Sequence, residues 1–265
     1  VTNAVFPRTL PVPRPLRPWI SRVGLLDVEA AARGPYVHLP DPDTKLILRV
    51  AANGHRSVLV VGPRVRASYH EGKPLSSCVE LRLTPGTARP LLGLPAAELV
   101  GRSLPLEAVP GAAARGLAHE LRWLEPEAAV ARLADELPDR LASLADGGRT
   151  GLVRAGVAAL SVRSGRTPGT VRDTARELAV SERQLRNLFA EGVGLSPKHY
   201  ARIDRVRAVV SHATEVSWAE LAAVTGYYDQ SHMSSDFRAL MGVPPRSYFT
   251  GRLPAAAPCQ AVRRH

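Results

Sequence analysis

The chain has 265 residues, is 45% hydrophobic, and carries 35 Lys and Arg against 24 Asp and Glu, a formal charge of +11. That length holds two ordinary domains with cores of their own, and the positive balance suits a polyanionic partner. Two cysteines, Cys78 and Cys259, exclude a disulfide framework or a thiolate metal site, and apolar runs such as SVLVVG fall far short of a membrane span.

Residues 1–18 are rich in proline and lack periodicity, so they are expected as an extended or disordered arm. They lack the apolar core of a signal peptide, and a cytoplasmic protein without a membrane partner is expected. Residues 19–95 break into short β-prone pieces: WISRVGLLDVEA, YVHLP, TKLILRVA, HRSVLVVG, RVRASYHE and SCVELRLTP. Turn chemistry separates them at residues 40–43 and 52–55. The spacing suits an antiparallel sheet curled into a barrel or sandwich. His38, His55, His70, Cys78 and Glu80 are the candidates in this region for metal or acid–base work. They lack the close His-x-His pair with a distal ligand, and no nucleophile elbow, Walker loop or dinucleotide turn accompanies them. No catalytic residue, cofactor or metal is expected. His38 is expected near a sheet edge, and Cys78 as a small buried hydrophobe at a strand start.

From residue 96 to about 145 the pattern turns helical, with PAAELVGRSLPLEAV, GAAARGLAHELRWLEP and EAAVARLADELPDRLASLA. Trp123, Leu124 and Leu133 are expected in the core or, alternatively, on a dimer face. Residues 146–150 are the best linker. The expected layout is a β-rich domain over 19–145 and an all-α domain over 151–252, with a loose tail over 253–265. Up to Thr150 there are 19 basic and 15 acidic residues, and after it 16 and 9. The smaller C-terminal part is therefore the more positive.

LVRAGVAALSVRSG opens that part as a helix, and one small device then follows twice. TVRDTARELAVSERQLRNLFAEGVGLSP and SWAELAAVTGYYDQSHMSSDFRALMGVPP each hold a short amphipathic helix, a tight break and a second helix. Thr170 with Asp173, Ser181 with Gln184, and Ser217 with Glu220 have capping-box spacing, and Asp229 caps the last helix. Val171, Ala175 and Leu178 face Leu185, Leu188 and Phe189 across the first pair. Ser196-Pro197 starts a bridging helix that runs to about Ala213. Two short helices about a tight turn, the second presenting polar residues outward, are a helix-turn-helix. A plain helical bundle is the alternative for one copy, and repetition in a basic chain argues against it.

LAVSERQLRNLF, GLSPKHYARIDRVR and above all GYYDQSHMSSDFRALMGVPPRSYF resemble the DNA-binding domain of the AraC/XylS family of transcription regulators, over about Gly151 to Phe249. YVHLPDPDTKLILRV, VLVVGPRVRASYHE and CVELRLTPGTARPLLGLPAAELVGRSLPLEAV look like the N-terminal domain of actinobacterial members. The resemblance implies a cupin-like or related β-fold there, used for effector sensing, self-association or both. It also implies double-stranded DNA as partner, RNA polymerase if the protein is an activator, and room for a small-molecule effector and a homodimer.

In the first unit Glu182, Arg183, Arg186 and Asn187 are expected outward, and the resemblance places Arg183, Arg186 and Asn187 at base-facing positions; Arg suits guanine and Asn suits adenine. Asn187 departs from the Arg common there in the family. In the second unit Gln230, Ser231, Ser234 and Ser235 are expected outward, with His232 and Arg238 as backbone contacts or structural bonds; Ser235 stands where the family often has Arg. A bridging helix of about eighteen residues spans roughly 27 Å. It can hold two reading helices about one DNA turn apart, on an asymmetric site of roughly 15 to 20 base pairs. Residues 151–252 alone are expected to bind duplex.

Overall fold

The computed structural model describes residues 8–26, 35–72, 75–141, 147–162, 168–213 and 217–257. The first seven residues of the expected arm, Asp146 of the expected linker, and the tail beyond residue 257 with Cys259 lie outside them.

Eight strands come first: β1 (Arg8–Leu10), β2 (Ile20–Leu25), β3 (Tyr36–His38), β4 (Lys45–Ala51), β5 (Arg56–Val61), β6 (Ser68–His70), β7 (Leu75–Leu83) and, after helix α1 (Ala88–Leu92), β8 (Ser103–Pro105). Alternation sets the sheet's inner face. Leu46, Leu48 and Val50 of β4 are buried while Ile47, Arg49 and Ala51 are less so. Register then lines up Val60, Leu46 and Leu81 in one apolar row and Val58, Leu48 and Val79 in the next. Residues 52–55 make the expected β4–β5 turn, with Gly54 at φ 78° and the His55 N–H donating to Asn53 Oδ1 at 3.1 Å.

Six strands form an antiparallel sheet in the order β1-β2-β7-β4-β5-β8, and β3 pairs separately with β6. Among the described residues the sheet is open, so the barrel form of the expectation is corrected: its edge strands β1 and β8 do not pair with each other. Closure needs long, tilted strands that meet. Helices α2 (Ala112–Leu121) and α3 (Pro126–Leu141) supply Leu117, Leu121, Leu133 and Leu137 to the core with the sheet. Trp123, read as core or dimer face, is not core: it is 69% exposed in the turn between them, with Arg122 Cζ 5.1 Å from its ring centroid. Cys78 is buried as expected but lies inside β7.

Two further expectations are corrected. Over residues 8–18 the disordered form of the arm is corrected: β1 is extended and pairs with β2, and Leu16 is fully buried. The apolar residues between the prolines anchor the segment, and a sheet edge tolerates proline's missing N–H. Residues 147–150 are not a linker but the first turn of α4 (Gly147–Leu160). Packing holds that helix: Val153, Ala159 and Leu160 are buried, and a Cβ on Gly156 would sit 2.8 Å from the Phe189 ring.

The C-terminal part is all-α, with α5 (Val171–Glu177), α6 (Glu182–Gly192), α7 (Pro197–His212), α8 (Trp218–Val224), α9 (Gln230–Met241) and α10 (Pro245–Phe249). Its core is not confined to these helices. Val37 and Leu39 belong to it, with Val65, Ala67 and Tyr69 at its margin. The β3–β6 pair is thus an outlying piece of the first domain built into the second. The Ala67 N–H donates to Leu240 O at 2.8 Å, and Tyr69 Oη donates to Met241 O at 2.6 Å. The tail docks on the same pair of strands: the Ala257 N–H donates to Tyr69 O at 3.0 Å, and the Glu71 N–H donates to Ala257 O at 3.1 Å.

Beside this strand pair lies a buried ionic cluster. Asp41 accepts from Lys45 at 2.5 Å and Arg82 at 3.1 Å, and Arg207 of α7 stands 3.5 Å away. Arg82 also meets Asp43 at 2.6 Å and Glu80 at 2.8 Å. Arg207 donates to Pro40 O at 3.0 Å, so the cluster ties the sheet domain to the bridging helix.

Candidate nucleic-acid interface

Each helix pair is built from its caps upward. Thr170 Oγ1 accepts from the Asp173 N–H at 3.1 Å and starts α5. Ser181 starts α6 with a complete capping box: the Gln184 N–H reaches Ser181 Oγ at 3.1 Å, and the Ser181 N–H reaches Gln184 Oε1 at 2.9 Å. In the second unit Ser217 accepts from Glu220 at 3.3 Å and Asp229 from His232 at 2.7 Å. These bonds satisfy N–H groups that a helix start leaves open, so the chain enters both second helices at fixed points.

Between the helices the two turns close alike. The Ala179 N–H donates to Arg176 O and the Gly226 N–H to Ala223 O, both at 3.1 Å, and both residues are left-handed, at φ 53° and 77°. The second turn then has one residue more before its cap, and Tyr228 in it is 94% exposed. Ala179 is the only non-glycine residue at positive φ among the described residues. A left-handed alanine costs roughly 1 to 2 kcal/mol, and glycine returns part of that gain as unfolded-chain entropy. Ala179→Gly is therefore expected to raise stability by about 0.5–1 kcal/mol in chemical denaturation; a lower midpoint would refute it.

α6 buries Leu185, Leu188 and Phe189 and exposes Glu182, Arg183, Arg186 and Asn187 together. Arg186 Nη1 is 3.5 Å from Glu182 Oε2, an exposed pair that contributes little and leaves the guanidinium available. On α9, Gln230, Ser231, Ser235 and Arg238 are exposed, and Ser234 is half-buried. His232 is turned along its own helix, with Nε2 3.9 Å from Asp236 Oδ2 and its ring edge-on to Tyr227 at 5.3 Å.

Both pairs pack on α7, which starts at Ser196 and Pro197 as expected and runs sixteen residues, about 24 Å. Tyr200, Ile203, Val206 and Val209 are its buried stripe. Val162 N–H donates to Asp204 at 2.6 Å, fastening the end of α4. Asp236 is a positioning residue that sequence reasoning missed. Only 6% exposed, it accepts from Arg202 Nε at 2.9 Å, and Arg205 Nη2 is 4.0 Å away. Arg205 in turn lies over the Tyr227 ring at 4.9 Å. This acid fixes α9 against the bridge. Its signal was present, because Asp236 falls on the buried helical stripe of Met233, Phe237 and Leu240.

Residues 174–251 match a family model described as a helix-turn-helix domain. Over 76 residues, 28% of this chain, the sequence is 36% identical to the HTH-type transcriptional regulator GbdR of Pseudomonas aeruginosa. That match spans 20% of the relative's length. Among solved structures, the C-terminal domain of AraT, a response regulator from Geobacillus stearothermophilus, is 25% identical; 39% of this chain and 88% of that one are covered, with a TM-score of 0.35. ToxT from Vibrio cholerae is 14% identical, with 82% of this chain and 92% of that one covered and a TM-score of 0.39. Among the described residues no three His, Cys, Asp or Glu come together as metal ligands. With two capped helix pairs on one bridging helix, residues 174–251 have the helix-turn-helix form that this family model describes.

Proposed function

We propose that the chain is a one-component transcription regulator that reads an asymmetric DNA site with both helix pairs at once. The observation that carries this reading is the pair of exposed polar faces on α6 and α9, each behind its own cap and both packed on α7. Arg183, Arg186 and Asn187 supply guanine- and adenine-reading chemistry, while Gln230, Ser231 and the other serines of α9 supply weaker contacts. Most sequence preference then lies under α6, and α9 adds phosphate and shape contacts. Selection of duplexes from a random pool by the full chain, followed by hydroxyl-radical footprinting, tests this. Two protected windows about one helical turn apart are expected; a single window would end the tandem reading.

Arg183→Ala and Arg186→Ala are each expected to cost about 1–3 kcal/mol at the base pair read, with relaxed preference there alone. Titrations on matched and singly substituted duplexes measure it. An equal loss on every sequence would make that arginine a backbone contact instead.

The N-terminal domain, by its likeness to that of actinobacterial members, is read as the sensing or self-associating part, taking a small-molecule effector or a second copy without chemistry. Its sheet has a core of its own, apart from that of the reading helices, which supports an independent role. RNA polymerase is the further partner if the protein activates transcription.

A further inference from the structure

A cavity of about 910 Å³ lies where the two domains meet at the far end of α9. Ser234, Ser235 and Arg238 of the proposed reading face line one side, and Arg66, Ala67 and Tyr69 of the N-terminal domain line the other. We propose that Arg66 is a phosphate contact of the DNA interface, completing with Arg238 a two-guanidinium clamp on the backbone that borders the second reading helix. This rests on the reading of α9 as a DNA-facing helix.

The placement of Arg66 is fixed by its neighbour. The Ala67 N–H is bonded to Leu240 O and Tyr69 Oη to Met241 O, so the segment cannot slide along α9. A reading helix presents its N-terminal residues to base edges. Its C-terminal half then runs out to the groove wall, where phosphates stand. Arg238, two turns beyond Gln230, and Arg66 beside it lie at that end. Both side chains are exposed, and neither is in an ion pair among the described residues. The helix end would ordinarily disfavour an anion, through the partial negative charge of its last carbonyls. Here two of those carbonyls already accept from Ala67 and Tyr69, and the Gly242 N–H donates to a third, Arg238 O, at 2.9 Å. Two guanidinium forks over satisfied carbonyls fit phosphate oxygens. They also make the first domain part of the reader rather than a passenger on it.

The test compares the unaltered 265-residue chain with Arg66→Ala, Arg66→Lys and Arg238→Ala. The probes are duplexes that the wild type selects from a random library and a duplex of unrelated sequence, titrated from 50 to 200 mM salt. Loss of one phosphate contact lowers the slope of log affinity against log salt by about 0.9, so the gap between wild type and Arg66→Ala should narrow about 3.5-fold across that range. The loss should be the same on every sequence, and Arg66→Lys should keep the slope. Exposure of Arg66 predicts unchanged thermal unfolding, which separates loss of contact from loss of fold. An unchanged slope in Arg66→Ala, alongside a reduced one in Arg238→Ala, overturns the clamp and leaves the reading of α9 standing. An unchanged slope in both removes α9 as a DNA-facing helix, and the clamp with it. Tighter binding by Arg66→Ala overturns the proposal as well, because the segment before β6 would then be obstructing DNA.

Discussion

Asp41→Ala is expected to destabilise the protein by about 3–5 kcal/mol, the usual cost of removing one partner from a buried ion pair. The carboxylate is 3% exposed and faces Lys45, Arg82 and Arg207. Truncation leaves those cations crowded together with less opposing charge, and it releases Arg207 of α7 from half of its hold on the first domain. Burial alone would raise the Asp41 pKa, but the charges of Lys45, Arg207 and Arg82 outweigh it and hold the carboxyl well below the ordinary range. A depressed folded pKa contributes stability that is complete above the unfolded value of about 3.9, and that is lost as pH falls from there toward the folded value. The gap between wild type and Asp41→Ala should therefore be flat near neutrality and narrow below about pH 4. Denaturant unfolding at several pH values measures both. A loss under about 1 kcal/mol, or a gap that widens in acid, would contradict this account.

Residues 151–252 expressed alone are expected to be less stable than the same residues in the full chain, by about 3–6 kcal/mol. Val37 and Leu39, 6% and 8% exposed, sit in the core of the helical domain, and each contributes about 1.5–3 kcal/mol by burial. The fragment also loses the bonds from Ala67 and Tyr69 to the end of α9. Against a usual total of about 5–15 kcal/mol, that leaves a marginal domain. Duplex at a hundred times Kd returns about 2.7 kcal/mol, so the fragment can still bind while melting early without DNA. Thermal unfolding with and without duplex tests this. A free fragment that melts within about 2 °C of the helical domain in the full chain would show that the β3–β6 pair contributes little.

The helical half was legible because its signals are local. A capping box needs only Ser181 and Gln184, three residues apart, and the apolar stripe of α6 repeats at helical spacing. The exposed positions Arg183, Arg186 and Asn187 follow once that stripe is known. Strands were legible as elements, since alternation marks Leu46, Leu48 and Val50. Sheet closure was not, because it depends on partners far along the chain. The arm was misjudged for a related reason: prolines suggest looseness, and nothing near Leu16 announces that distant apolar residues bury it. The shared core was invisible for the same cause. YVHLP reads as a strand of the first domain, and only the fold reveals that Val37 and Leu39 face the second. Asp236 is the intermediate case, a charge on an apolar stripe whose partners, Arg202 and Arg205, lie a helix away.

The openness of the main sheet also limits how two copies can meet. An unpaired strand is a template for a neighbour's strand, and the gain grows with its length. Here one edge, β8, offers three residues ending in Pro105, which has no N–H to give. That rim cannot support a continuous ladder across a two-fold axis. A homodimer that avoids it can join through side chains on a helical surface, and the exposed Trp123 between α2 and α3 is the natural place to look for it.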